Sequence, residues 1–193
     1  MRRIMAVACL LLVSSGNAAI AQTDTALFAG GCFWCMESDF QDQPGVIDVV
    51  SGFTGGSLPN PTYKGNHEGH FEAIKVTYDP EVISYQDLLN LYWVNVDPFD
   101  NRGQFCDKGP SYRSAIFPQP GEQRELADQS LQAVQAQFAP AEVYTEIHEA
   151  GKFWPVEEGH QDYYKKNPVR YKYYRWNCGR DQRLDQIWGD ARS

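Results

Sequence analysis

The chain has 193 residues, with 17 Lys and Arg against 25 Asp and Glu, a net charge of −8 at neutral pH and 13% aromatic residues. An acidic surface argues against binding along a phosphate backbone, so nucleic acid is excluded as a partner. The length suits one domain, long enough to close a core without disulfide staples.

At the N-terminus Arg2 and Arg3 precede the apolar run IMAVACLLLV and small residues ending in Ala-Ile-Ala before Gln22. A charged start, an apolar stretch shorter than the roughly 20 residues of a membrane span and an A-x-A ending predict a secretory signal peptide over 1–21. Residues 22–193 then form a single mature domain, with no membrane attachment after cleavage. Loss of Arg2 and Arg3 takes the balance from −8 to −10. The expected location is outside the cytoplasm: the periplasm if the source is Gram-negative, otherwise secreted. Cys9 leaves with the leader, so Cys32, Cys35, Cys106 and Cys178 remain. With no isolated apolar helix face demanding a partner, a monomer is expected.

The mature chain opens with ALFAGG, a buried strand, followed by a helix from Cys32 to Gln41. QPG at 43–45 is a turn and VIDVVSGF the next strand. Residues 54–70 gather Gly, Pro and Asn into a surface loop. FEAIKVTYDP alternates imperfectly, as a strand with one wetter face would. Ser84 and Asp87 have the spacing of a capping box. Leu88, Leu89, Tyr92, Trp93 and Val96 then recur at helical intervals. A second polar loop, DPFDNRGQFCDKGPS, leads into the strand YRSAIFP. Pro120 opens a helix with Ala127, Leu131, Val134 and Phe138 on one face. EVYTEIHEA reads as a last strand and VEEGHQDYYKKN as a last helix, and the basic, aromatic tail from Pro168 shows no clear period. The order β-α-β-β-α-β predicts an α+β fold: a ferredoxin-like split βαβ sheet with helices on one face and an irregular C-terminal tail.

The stretch GCFWCM, Gly31 to Met36, carries the chemistry. Haem attachment needs a His directly after the second Cys, where Met36 stands. Zinc needs a second ligand pair, but Cys106 and Cys178 are single and far apart, and His67 and His70 fall one residue short of the H-E-x-x-H spacing. No metal or bound cofactor is expected. A C-x-x-C that follows a strand and opens a helix has the context of a thioredoxin-like redox pair. The helix N-terminus favours a thiolate, yet the dipole supplies only about 0.3–1 kcal/mol, against ~1.4 kcal/mol per pKa unit. By itself it leaves a thiol protonated at neutral pH. Two packed thiols or a small disulfide under the sheet is the purely structural alternative.

Together GCFWC, SGFTGG with PTY, GHFEA…VTYDP, GQFCDKGPSYRSAIF and EEGHQDYYKKNP resemble, in order and over nearly all of the mature chain, the A-type peptide methionine sulfoxide reductases. The resemblance implies reduction of the S-epimer of methionine sulfoxide, free or within proteins, with no metal or organic cofactor. It makes Cys32 the nucleophile and Glu72 the acid. Tyr63 and Tyr112 would hydrogen-bond the sulfoxide oxygen, Asp107 would order the site through water, and Phe33 and Trp34 would cage the methyl group. His160 takes a supporting position, and Cys35 stands where many relatives have glycine. The chemistry agrees, since a sulfoxide sulfur becomes electrophilic once its oxygen is protonated or firmly hydrogen-bonded.

On this reading Cys32 becomes a sulfenic acid that a second thiol condenses to a disulfide. Cys178, on a tail expected to swing inward beside Gly179, ranks first as that thiol, Cys106 second and Cys35 third. A thioredoxin-like protein or a dithiol must then re-reduce the enzyme. Two other functions compete: a thiol–disulfide oxidoreductase using Cys32 and Cys35, and a non-catalytic aromatic surface that binds sugars or peptides.

Overall fold

The computed structural model describes residues 22–192, and the expected signal peptide, 1–21, lies outside the described residues. In chain order the elements are β1 (Asp24–Gly30), α1 (Phe33–Phe40), β2 (Val46–Thr54), β3 (Phe71–Tyr78) and α2 (Tyr85–Trp93). A two-residue hairpin, β4 (Gly103–Gln104) and β5 (Asp107–Lys108), precedes β6 (Ser114–Ile116) and α3 (Glu122–Phe138). Then come β7 (Glu146–Ile147), β8 (Trp154–Pro155), α4 (Tyr163–Lys166), α5 (Pro168–Asn177) and α6 (Arg180–Trp188).

The main sheet has the order β7-β6-β1-β3-β2-β8. Its four middle strands are antiparallel, which is the expected split βαβ core; β7 adds parallel to β6, and β8 antiparallel to β2. Period-two alternation divides the two faces. Ala26, Phe28, Ile74 and Val76 point into the main core with residues of α1, α2, α3 and α6, while Leu27, Ala29, Phe71 and Ala73 point the other way. That second face is drier than expected: Ala115 and Phe117 lie on it, and Ala150 and Phe153 close over it. Phe28 centres the core, with ring centroids 5.1 Å from Tyr92 and 5.5 Å from Phe40.

The capping box forms as read. Ser84 Oγ accepts from the Asp87 N–H at 3.1 Å, and the Asp87 carboxylate accepts from the Ser84 N–H at 3.0 Å. Two N–H groups that the first turn leaves orphaned thereby find partners.

Three expectations change. The strand read over EVYTEIHEA shrinks to Glu146–Ile147, paired with Ala115 and Ile116 of β6, and it is not the last, since β8 follows it. The last helix breaks at Asp162, which sits in the left-handed region at φ 50° and gives its N–H to Glu37 Oε1 at 2.7 Å. The tail, expected to be irregular, is helical. Its two helices turn on Gly179 at φ 66° and are fastened by the buried Arg180, which donates to the carbonyls of Asn95 at 2.7 Å and Gly30 at 3.2 Å. No period was legible because aromatics occupy both sides of α5: Tyr171 is buried, while Tyr173 and Trp176 are 65% and 75% exposed.

Candidate active site

The site begins where β1 becomes α1. Gly31, at φ 85°, makes the turn, and a Cβ there would stand 2.6 Å from Gln104 Cβ, so neither the backbone nor the neighbour admits a side chain. Cys32 follows as the N-cap of α1, and its carbonyl accepts from the Cys35 N–H at 3.1 Å and the Met36 N–H at 3.3 Å. Cys32 and Cys35 are free thiols, 6% and 2% exposed.

Glu72, the second residue of β3, is 1% exposed. Its Oε2 accepts from the Phe33 N–H at 3.1 Å, in the first turn of α1, and its Oε1 has no hydrogen-bond partner among the described residues. Burial is the main reason its carboxyl is pushed up to about 8, with the charge of Asp107 adding to it; the Phe33 N–H and the Tyr112 hydroxyl oppose the shift. At neutral pH Glu72 is a carboxylic acid, and a buried polar oxygen without a partner is costly unless a ligand completes it.

The two thiols are polarised in opposite senses. Burial, Cys35 and Glu72 all push Cys32 well up, against a smaller pull from the Tyr174 hydroxyl. A hydrogen bond from Cys32 draws Cys35 down against its own burial, helped by Arg180 and Arg175. Desolvation thus outweighs the helix dipole at Cys32, which is a thiol at rest and not the thiolate that its place at a helix N-terminus favours.

Aromatic rings wall the pair. Phe33 is fully buried, 6.0 Å from the Tyr63 ring and 5.8 Å from Phe53. Trp34 stacks on Tyr163 at 3.7 Å, lies 6.0 Å from Tyr63 and donates its indole N–H to His160 Nδ1 at 3.2 Å. That bond requires an unprotonated Nδ1, in keeping with the lowered His160 pKa that burial brings. Tyr63 arrives on the loop 55–70, whose ends His70 ties by accepting from the Gly56 N–H and bonding the Leu58 carbonyl. Burial pushes the Tyr112 phenol up, and Glu72, Tyr63, Asp107 and Cys32 lie near enough to add to it. Every residue read from the sequence as catalytic or substrate-binding, Cys32, Glu72, Phe33, Trp34, Tyr63, Asp107 and Tyr112, therefore meets at one end of the sheet.

The two cysteines ranked first and second as resolving thiols are paired with each other. Cys106 and Cys178 are bonded to each other across 72 residues, so neither is a thiol, and the thiol beside Cys32 is Cys35. The helical tail explains this. Cys178 caps α5 and is held over the β4–β5 turn that carries Cys106, where a loose tail would have left it free to swing. The two sulfurs and an Asp107 oxygen lie within 4.8 Å of one another, but a closed disulfide presents no thiolate to a metal.

Three residues escaped the sequence reading. Tyr163 forms the far side of the Trp34 stack. Glu37, one turn along α1, accepts from Ser51 Oγ at 3.0 Å and from the Asp162 N–H, which pins the strap bearing His160 and Tyr163; burial pushes its carboxyl up to about 7. Tyr174 donates to Asp107 Oδ2 at 2.5 Å. The spacing of Tyr171, Tyr174 and Cys178 on one helical face was the available signal for the last.

Comparison with known proteins agrees with this geometry. Residues 24–192 match the sequence pattern of the family described as peptide methionine sulfoxide reductase. The peptide methionine sulfoxide reductase MsrA 2 of Caulobacter vibrioides is 48% identical over 196 residues, covering 98% of this chain and all of that protein. Among solved structures, the methionine sulfoxide reductase A of Corynebacterium diphtheriae superposes with a TM-score of 0.68 at 32% identity, over 76% of each chain. Mxr1 of Saccharomyces cerevisiae, solved in complex with Trx2, shares the fold at a TM-score of 0.51 and 21% identity, over 78% of this chain and 91% of that one.

Proposed function

The chain belongs to the peptide methionine sulfoxide reductases of the A type, and from that premise we propose which residues reduce the sulfoxide and in what order. The enzyme reduces methionine sulfoxide. The observation that carries the finer reading is Glu72: a buried carboxylic acid with one oxygen anchored to the turn that bears Cys32 and the other without a partner. A sulfoxide oxygen is the acceptor that such a group lacks.

In the first step Cys35, the more acidic of the pair, acts as its thiolate and takes the Cys32 proton, and Cys32 sulfur attacks the sulfoxide sulfur, forming an S–S bond, while Glu72 protonates the oxygen. The protonated oxygen then passes from the substrate sulfur to the Cys32 sulfur as the S–S bond breaks with its electron pair staying on methionine, so methionine leaves and Cys32 carries a sulfenic acid. Cys35 then attacks Cys32 sulfur and the OH departs with the Cys35 proton as water, leaving a Cys32–Cys35 disulfide. Two thiols are oxidised and one sulfoxide is reduced, so the electrons balance. Tyr63 and Tyr112 hold the oxygen, and Phe33 with Trp34 encloses the methyl group. The substrate is the S-epimer, free or in proteins.

A thioredoxin-like protein or dithiol returns the two electrons; the Trx2 complex of the yeast relative supports a donor of that kind. The leader-like N-terminus supports a role in repairing oxidised exported proteins, in the periplasm or outside the cell.

The test is incubation of the mature chain with racemic methionine sulfoxide and dithiothreitol, followed by chiral separation of the remaining epimers. Depletion of the S-epimer alone, abolished in Cys32→Ser, is expected. Consumption of neither epimer alongside rapid insulin reduction would make the pair a thiol–disulfide oxidoreductase.

A further inference from the structure

We propose that the outer face of α5 is a docking surface for an anionic lipid bilayer, on which the folded enzyme rests without crossing it.

Val169, Tyr173 and Trp176 stand four and three residues apart on α5, which puts them on one face of the helix. All three meet solvent: Val169 is 83% exposed, and the Tyr173 and Trp176 rings lie 6.2 Å apart. Ile47 and Val82, the other large apolar side chains exposed among the described residues, belong to different segments. The opposite face of α5 keeps the stripe from turning inward. Tyr171 is buried beside Cys35 and Tyr163, Arg175 is held by Asp39 at 2.6 Å and Asp181 at 2.7 Å, and Cys178 is bonded to Cys106. Folding therefore fixes an apolar stripe against water, which marks it as a contact surface.

Charge identifies the class of partner. From Tyr163 to Arg180 the chain carries Lys165, Lys166, Arg170, Lys172, Arg175 and Arg180 and no Asp or Glu, in a protein of net charge −8. Lys165 and Lys166 pair with Asp162 and Glu158, whereas Arg170 and Lys172, exposed on either side of the stripe, take part in no ion pair among the described residues. Lys172 and Trp176 line one cleft, and Asp181, the acid there, is already paired with Arg175 and Arg192. Trp and Tyr beside unpaired Lys and Arg is the composition that settles at a bilayer surface, with the rings at headgroup depth and the bases on lipid phosphates.

The acidic remainder of the molecule opposes this little. Lipid charge is screened within about 10 Å at 0.1 M salt, and a domain of this size has a radius of gyration of roughly 15 Å, so most of its carboxylates lie beyond reach. A protein partner fits less well. The three side chains offer about 500 Å² at most, short of the ~800 Å² a side that a stable interface buries, and the stripe holds no acid to fix a partner's register. No helix among the described residues is long and apolar enough to cross a membrane, so the contact is peripheral, where cleavage of the leader alone predicted detachment. Tyr171 and Tyr174, which pack toward Cys35 and Trp34, lie on the far side of α5, so the stripe points away from the cysteines.

Residues 22–193, the folded part without the apolar leader, are sedimented at low salt with vesicles of phosphatidylcholine, alone or with about 30% phosphatidylglycerol. Binding to the anionic vesicles is expected to be about tenfold tighter or more, and about 0.5 M salt should remove it. Trp emission should shift to the blue on binding, and Trp176→Phe should abolish most of that shift. Tyr173→Ser/Trp176→Ser and Arg170→Glu/Lys172→Glu should each weaken binding about tenfold or more. Unchanged reduction of free methionine sulfoxide by either variant shows that it is folded, and if one fails to fold the other decides. Wild-type protein left in the supernatant with anionic vesicles overturns the proposal and makes an acidic protein the occupant to seek; binding that both variants retain overturns it as well. If the wild type reduces no sulfoxide, the functional reading falls, and sedimentation still decides the docking.

Discussion

Replacing Glu72 with glutamine should make the protein inactive and, near neutral pH, more stable. The native carboxyl is pushed from 4.5 up to about 8, mainly by burial. Between those values the native state holds a proton that the unfolded state has released, so stability is greatest below the unfolded pKa and is lost as pH rises toward the native one. The slope approaches about 1.4 kcal/mol per pH unit, and from about pH 5 to about pH 7.5 the loss due to this one group is on the order of 3 kcal/mol. Glutamine has a similar shape, can still accept from the Phe33 N–H and has no proton to lose. Urea unfolding of both proteins across that range should therefore give midpoints that diverge, the variant becoming relatively more stable as pH rises. The difference between the two isolates Glu72 from Glu37, whose carboxyl burial also raises, to about 7. The same substitution removes the acid, so kcat/KM should drop by roughly 10²- to 10⁴-fold. Parallel unfolding curves at all pH values would show that Glu72 is ionised in the native protein, and the acid role would go with it.

Two further changes separate chemistry from scaffold. Cys35→Ser should release about one methionine per chain and stall at a sulfenic acid that a 1,3-diketone captures and mass spectrometry locates on Cys32; recycling at the wild-type rate through a bridge from Cys32 to Cys106 or Cys178 would refute Cys35 as the resolving thiol. Ser84→Ala removes one half of the capping box of α2, far from the cysteines, and should cost about 1 kcal/mol in urea unfolding with kcat unchanged; a loss of activity would mean that α2 shapes the site.

Local patterns carried much of this protein. The alternation in β1 and β3, the cap at Ser84 and the glycines before Cys32 are short-range rules, each written within a few residues, and so the sheet core and the C-x-x-C at a helix start were legible in the sequence. The motif strings then supplied Glu72, Tyr63, Asp107 and Tyr112, which the fold gathers around Cys32. What the sequence could not determine depends on packing between distant segments. Burial, which no spacing records, sets the proton on Glu72 and keeps Cys32 a thiol against its helix dipole. The tail becomes helical because Arg180 finds carbonyls on β1 and beyond α2, 150 and 85 residues away. That helix in turn closes Cys106 on Cys178 and brings the Tyr174 hydroxyl to Asp107. Which thiols are free is therefore a tertiary property: the sequence places Cys32, Cys35, Cys106 and Cys178 along the chain, and only the assembled fold chooses their partners.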